Sequence, residues 1–224
     1  MHALKLDNGV PVAEISGLLA VVDTGSPASF GAVGALAIQS REFPLASQYL
    51  GVDVGAINRH LQSPVAALIG TDILREFVVT FDLGTNTLVF EAGRLTPPEA
   101  VEVTDVMGVP VVPARLDGVD HSMIVDTGAA LSYLVAPPTG ADAALGETMD
   151  DFLPMFGKFR TELFQAHLTA GRSAGIRRFG VLPPPLDGLL RMLGVSGLIG
   201  LNAIGSGRLV LSLGGGWASI ERAD

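Results

Sequence analysis

Two runs of the 224-residue chain place an aspartate after an apolar stretch and ahead of Thr-Gly: Val22-Asp23-Thr24-Gly25-Ser26 and, 103 residues on, Val125-Asp126-Thr127-Gly128-Ala129. An acid in that position lies where the chain leaves a sheet and turns, with Leu18 to Val22 and Met123 to Val125 as buried strands behind it. Gly25 and Gly128 are expected to adopt backbone angles that other residues resist. Each Thr hydroxyl can hydrogen-bond across to the opposite loop. If the loops meet about a pseudo-twofold, Asp23 and Asp126 touch, and two carboxyls in contact cannot both ionise, so they share one proton. The ionised member can take a proton from a water held between them. The protonated member can polarise the carbonyl oxygen of a bound amide, and water then attacks without a covalent intermediate.

The elements that must position these loops are written twice. Gly9-Val10-Pro11-Val12 recurs as Gly108-Val109-Pro110-Val111, the Asp-Thr-Gly run recurs as above, and Leu68-Ile69-Gly70 recurs as Leu198-Ile199-Gly200. From there the match runs without a gap to Glu91 and Glu221, so the chain is a duplicated domain. The second copy gains four residues, assigned to a longer hairpin turn within Arg115 to His121, and 27 more between its Asp-Thr-Gly and its Ile-Gly. The copies divide at Arg94 to Glu99, where Thr96-Pro97-Pro98 can continue neither strand nor helix; this gives an N-terminal lobe over 1–95 and a C-terminal lobe over 96–224. Most segments alternate or run apolar for strand lengths. Helical pattern is confined to Val54 to Leu61, Leu186 to Leu193 and a turn after each Ile-Gly.

The paired motifs resemble the catalytic loops of the aspartic peptidases of pepsin and retropepsin type. Leu68-Ile69-Gly70 and Leu198-Ile199-Gly200 are similar to the segment that crosses behind each loop in that fold. The resemblance covers nearly the whole chain, with lobes of retropepsin size on one chain as in pepsin. It implies a mostly β, bilobal acid-protease-like fold of two homologous β-barrel-like lobes about an internal pseudo-twofold. It also implies a monomer with a complete site, Asp23 and Asp126 as the catalytic pair, Thr24, Gly25, Ser26, Thr127, Gly128 and Ala129 as their support, and an extended polypeptide as substrate of an aspartic endopeptidase. Family members close the cleft with a β-hairpin flap. Asp23 to Gly70 spans 47 residues and holds only the hairpin Leu36 to Leu45 and a helix, whereas Asp126 to Gly200 spans 74 and leaves Val135 to Leu163 as extra chain beside the counterpart hairpin Leu168 to Val181. Phe152 to Thr161 is therefore read as the single flap, turning at Gly157-Lys158, with Phe156, Gly157, Lys158 and Phe159 against substrate. The alternative is a packed helix starting near Asp150. A further alternative is a catalytically silent peptide- or partner-binding module on the same fold.

Other chemistries are poorly supported. Gly171-Arg172-Ser173-Ala174-Gly175 fits the G-x-S-x-G pattern, but a strand follows and all four histidines, His2, His60, His121 and His167, precede it; a hairpin tip accounts for it. His121 is expected to be solvated, and Trp217 and Tyr133 to be core or rim. No histidines stand at ligand spacing and the chain has no cysteine, so neither metal nor cofactor is expected. Paired carboxylates could serve a glycosidase, but aromatics are only 6%, too few for sugar stacking. With a net charge of −9 and no basic run, no nucleic acid is expected as partner. Uncharged stretches such as Thr24 to Ser40 are too rich in Gly and Pro to span a membrane. Lys5, Asp7 and Glu14 interrupt any signal-peptide core, so the chain is expected in the cytoplasm, or in the periplasm or outside the cell if a leader has been removed.

Overall fold

The apolar alternation of the first copy becomes β1 (His2–Asp7), β2 (Val10–Ile15), β3 (Leu18–Val22), β4 (Phe30–Gly31), β5 (Ala35–Ile38), β6 (Arg41–Pro44), α1 (Val54–Asn58), β7 (Ala67–Ile69), α2 (Thr71–Leu74), β8 (Val78–Asp82) and β9 (Thr87–Glu91) in a computed structural model. The second copy gives β10 (Val101–Glu102), β11 (Thr104–Val106), β12 (Val109–Leu116), β13 (Val119–Val125), β14 (Ser132–Leu134), β15 (Ala144–Leu153), β16 (Gly157–Ala170), β17 (Ser173–Val181), α3 (Leu186–Met192), β18 (Gly197–Ile199), α4 (Leu201–Ile204), β19 (Arg208–Ser212) and β20 (Trp217–Glu221). The structure describes residues 1–93, 96–97, 99–138, 143–153 and 157–222. Strand makes up 53% and helix 9%, so ladder pairing rather than helix packing carries this mostly β fold. The expected boundary at 94–99 falls partly outside the described residues.

One ten-stranded sheet runs β10-β20-β19-β8-β9-β1-β2-β3-β7-β4, an eight-stranded sheet runs β11-β12-β13-β18-β14-β17-β16-β15, and β5 pairs with β6 alone. The ten-stranded sheet joins the two copies where β8 pairs antiparallel with β19, matching Val79 with Leu211, Thr80 with Val210 and Phe81 with Leu209. The repeat offset of 130 carries each of these pairs onto another member of the set, and Thr80–Val210 onto itself. A single core of buried side chains, among them Ile15, Leu74, Phe81, Leu88, Met123, Leu168, Phe179, Ile199 and Leu209, spans both copies.

Several expectations are corrected by the strands. The four residues added in the second copy do not lengthen a turn: β2 and β3 have 6 and 5 residues, β12 and β13 have 8 and 7, and both pairs close through two residues. The extra residues extend the arms, where each adds ladder bonds. The described residues between Phe152 and Thr161, which are 152–153 and 157–161, are strand and not a packed helix. Gly157 and Lys158 are not the turn, because Leu153 pairs with Gly157 and Phe152 with Lys158 inside the ladder; the expected substrate contact Phe156 lies outside the described residues. His121 is half-buried and shares a 2.9 Å hydrogen bond with Ser196. Other expectations hold: Tyr133 and Trp217 are buried in the core, and Gly171-Arg172 is the tip of the β16–β17 hairpin, with Ser173 buried at the start of β17.

Candidate active site

Each aspartate stands at the end of a short parallel ladder. β3 pairs with β7 up to Val22 and Ile69, and the Asp23 N–H donates to the Ile69 carbonyl at 2.9 Å. β13 pairs with β18 up to Val125 and Ile199, and the Asp126 N–H donates to Ile199 at 3.0 Å. Val22, Val125, Ile69 and Ile199 are all buried, so these ladders are dry and rigid. The glycine after each Ile lets the crossing strand pass close behind the loop. A Cβ at Gly70 would lie 2.7 Å from the Ala28 carbonyl, and one at Gly200 2.5 Å from the Leu131 carbonyl.

Two serines not singled out from the sequence complete these crossings. The Gly70 N–H donates to Ser29 Oγ at 2.8 Å, and the Gly200 N–H to Ser132 Oγ at 3.0 Å. Ser29 is held in turn by Asp72, which accepts from both its N–H and its hydroxyl, and Ser132 is held the same way by Asn202. The signal was present in the repeat: Ser132 follows Ser29 at the offset of the aspartates, and Asn202 follows Asp72 at the offset of the Ile-Gly segments.

The loops are cross-linked by their threonines, both fully buried. The Thr24 N–H donates to Thr127 Oγ1 at 3.1 Å and the Thr127 N–H to Thr24 Oγ1 at 2.9 Å. The hydroxyls then donate onward, Thr24 to Val125 O at 2.7 Å and Thr127 to Val22 O at 2.8 Å. Four buried donors are thus satisfied by a closed, two-way exchange. Gly25 and Gly128 act differently from the expectation. Neither has a positive φ, but a Cβ on Gly25 would lie 2.5 Å from Asp126 Cγ and one on Gly128 2.6 Å from Asp23 Cγ. Space for the opposing carboxyl, not backbone freedom, requires glycine here. The Asn8-Gly9 and Met107-Gly108 turns, all with positive φ, back these loops reciprocally. A Cβ on Gly9 would meet Ala130 at 2.4 Å and one on Gly108 would meet Pro27 at 2.7 Å.

The result is a carboxyl pair with intermediate exposure. Asp23 Oδ1 accepts from the Gly25 N–H at 2.8 Å and Asp126 Oδ1 from the Gly128 N–H at 2.9 Å. Each carboxyl lies against the glycine of the opposite loop, which brings the two into electrostatic contact. Burial raises both above the ordinary aspartate value, and the negative charge of Asp23 drives Asp126 higher still. One proton therefore belongs to the pair. Ser26 and Ala129 follow in the loops; the Ser26 hydroxyl turns back to the Ala28 carbonyl at 2.8 Å.

The second copy has the expected counterpart of the β5–β6 hairpin in β16–β17 and a further hairpin, β15–β16, that differs from both. β5 and β6 have four residues each, and Leu36 and Ile38 are buried in the core. The β15–β16 hairpin instead reaches the first copy: the Phe152 ring stacks on His60, centroids 4.7 Å apart at 21°. Phe159 packs against Tyr133 at 5.8 Å, and the Tyr133 hydroxyl donates to Asp151. Burial, and then that carboxylate, push the Tyr133 phenol above its ordinary range. His60, Asp150, Asp151, Phe152, Lys158, Phe159 and Arg160 line a groove of about 640 Å³ that includes neither aspartate.

No protein-family model and no curated protein matches the sequence. Among the described residues, no three His, Asp or Glu side chains are grouped to hold a metal ion, and no helix is long and apolar enough to cross a membrane.

Proposed function

We propose that the chain is a single-chain aspartic endopeptidase with an acid-protease-like arrangement of two lobes, 1–95 and 96–224, about a pseudo-twofold through the Thr80–Val210 pair. The observation that carries this reading is the Asp23–Asp126 pair, both raised by burial and Asp126 further by the charge of Asp23, on loops cross-linked by Thr24 and Thr127. A pair sharing one proton has one member to accept a proton from water and one to donate to an amide oxygen. Gly25 and Gly128 keep the carboxyls in contact, and the rigid ladders behind them fix their separation before substrate arrives. One chain supplies both loops, so a monomer suffices. The β15–β16 hairpin is the single flap, because the β5–β6 hairpin is folded onto the core.

Mapping cut sites by mass spectrometry after incubation with an unstructured polypeptide, across pH, tests the reading. Cleavage with an optimum on the acid side of neutrality, lost in Asp23→Asn, supports it. A rate still rising above neutral pH contradicts the shared proton. A second reading, a catalytically silent peptide- or partner-binding module, is favoured by one feature: the groove beside the β15–β16 hairpin includes neither aspartate. Peptide binding without cleavage at any pH would select it.

A further inference from the structure

The outer part of the β15–β16 hairpin is a two-stranded ribbon. β16 pairs with β17 only from Phe164 to Ala170, so Asp150 to Leu153 and Gly157 to Arg160 have each other as sole ladder partners. An unsupported ribbon of that kind is marginal in water. Its register puts Asp151 and Phe159 on one face and Phe152 and Lys158 on the other. The first face meets Tyr133, through the Asp151 hydrogen bond and the Phe159 ring. The second meets His60, through the Phe152 stack. His60 is itself held, its N–H donating to Ile57 at 2.8 Å and its carbonyl accepting from Asn8.

We propose that His60 and Tyr133 are positioning residues that grip the end of this ribbon from opposite faces, and that the His60–Phe152 stack is the contact that parts when the hairpin lifts to admit a chain. The stack crosses from one copy of the repeat to the other. The Tyr133 contacts stay within the second copy and move with the hairpin's base. An aromatic pair of this kind supports roughly a 2- to 10-fold change in the open population, small enough for substrate binding to reverse. The role in turnover rests on the peptidase reading; the grip itself does not.

Hydrogen exchange on the full chain, read by mass spectrometry, separates the two. His60→Ala should speed exchange at Thr148 to Leu153 and Gly157 to Arg160 by about 2- to 10-fold while the β3–β7 ladder is unchanged, and His60→Phe, which keeps a stacking ring, should restore protection. In parallel, kcat/KM on an unstructured polypeptide should fall in His60→Ala and recover in His60→Phe. Tyr133→Phe, which keeps the ring and removes the hydroxyl, should loosen the same segments. Exchange in His60→Ala identical to wild type overturns the grip. Faster exchange with unaltered kcat/KM overturns the positioning role. A wild type that cleaves nothing overturns the peptidase reading instead, and the exchange data still decide the grip.

Discussion

The Asp-Thr-Gly loops and the hairpins that follow them have diverged to very different degrees. The loops match bond for bond: the aspartate N–H contacts are 2.9 and 3.0 Å, the threonine exchanges 3.1 and 2.9 Å, and the hydroxyl contacts 2.7 and 2.8 Å. The hairpins share only their place in the order. One has four-residue arms, β5 burying Leu36 and Ile38 in the core while β6 stays mostly exposed; the other includes an additional long strand and reaches across to His60. A shared proton needs both carboxyls in equivalent positions, and any change in one loop must be met in the other. On the reading proposed above, one cover suffices for a cleft, so the first hairpin can pack Leu36 and Ile38 into the core instead.

The largest effect that could break this comparison is at the pair. Asp23→Asn, Asp126→Asn and the double variant should each lose peptide turnover by on the order of 10³-fold or more, with the double no worse than the singles, because the two act as a unit. Single-turnover kinetics read this directly. A variant keeping most of its rate would mean that the loops are alike without being partners.

The hairpins should respond oppositely. Leu36→Ala leaves a cavity under the first hairpin and should cost about 2–5 kcal/mol in denaturant unfolding, with turnover per folded molecule unchanged. Phe152→Ala should cost less than about 1 kcal/mol and lower turnover several-fold. If both variants act mainly on stability, the second hairpin is core as well.

Smaller effects sharpen the symmetry. Thr24→Val and Thr127→Val each strand buried N–H and carbonyl groups, so each should lose about 2 kcal/mol. The double variant should lose less than the sum, since the first substitution already opens the exchange. Unequal single losses in a thermodynamic cycle would show that the loops are not energetically equivalent.

The smallest expected effect is in pH. Both carboxyls are raised in the folded chain by burial, so the folded state holds a proton that the unfolded chain has released. That proton's contribution is fully present below the ordinary aspartate value of 3.8 and is lost as pH rises through the folded value. Asp126→Asn removes the need for it. Its melting temperature should exceed wild type by about 2–4 °C at neutral pH, and the gap should close on acidification. A gap that widens at low pH would reverse the assigned direction.

Much of this was legible in the sequence because it repeats. The buried strands before each Asp, the Ile-Gly crossings, the helices at α1 and α3 and the hairpin at Leu36 to Leu45 follow from apolar periodicity and two constant offsets. Three features did not. Gly157-Lys158 looks like a turn, yet the pairing of Leu153 with Gly157 and Phe152 with Lys158 puts both residues inside a ladder. Gly25 and Gly128 invite a backbone explanation, yet the atoms that exclude a Cβ belong to residues about a hundred positions away. The stack of His60 on Phe152 joins two isolated aromatics with no shared period, so nothing local announces it.

The seam between β8 and β19 has a consequence for how the molecule is made. Val79, Thr80 and Phe81 are paired on that side only by residues 209 to 211. During synthesis β8 emerges as a bare sheet edge carrying Val78, Val79 and Phe81, and it stays bare until β19 has emerged as well. Nascent chains are thereby exposed to pairing with one another at that edge. The second carboxyl also stands on a ladder that β18 must complete, so hydrolytic capacity, on the reading proposed above, waits for residues 197 to 199 long after Asp126 itself has been made.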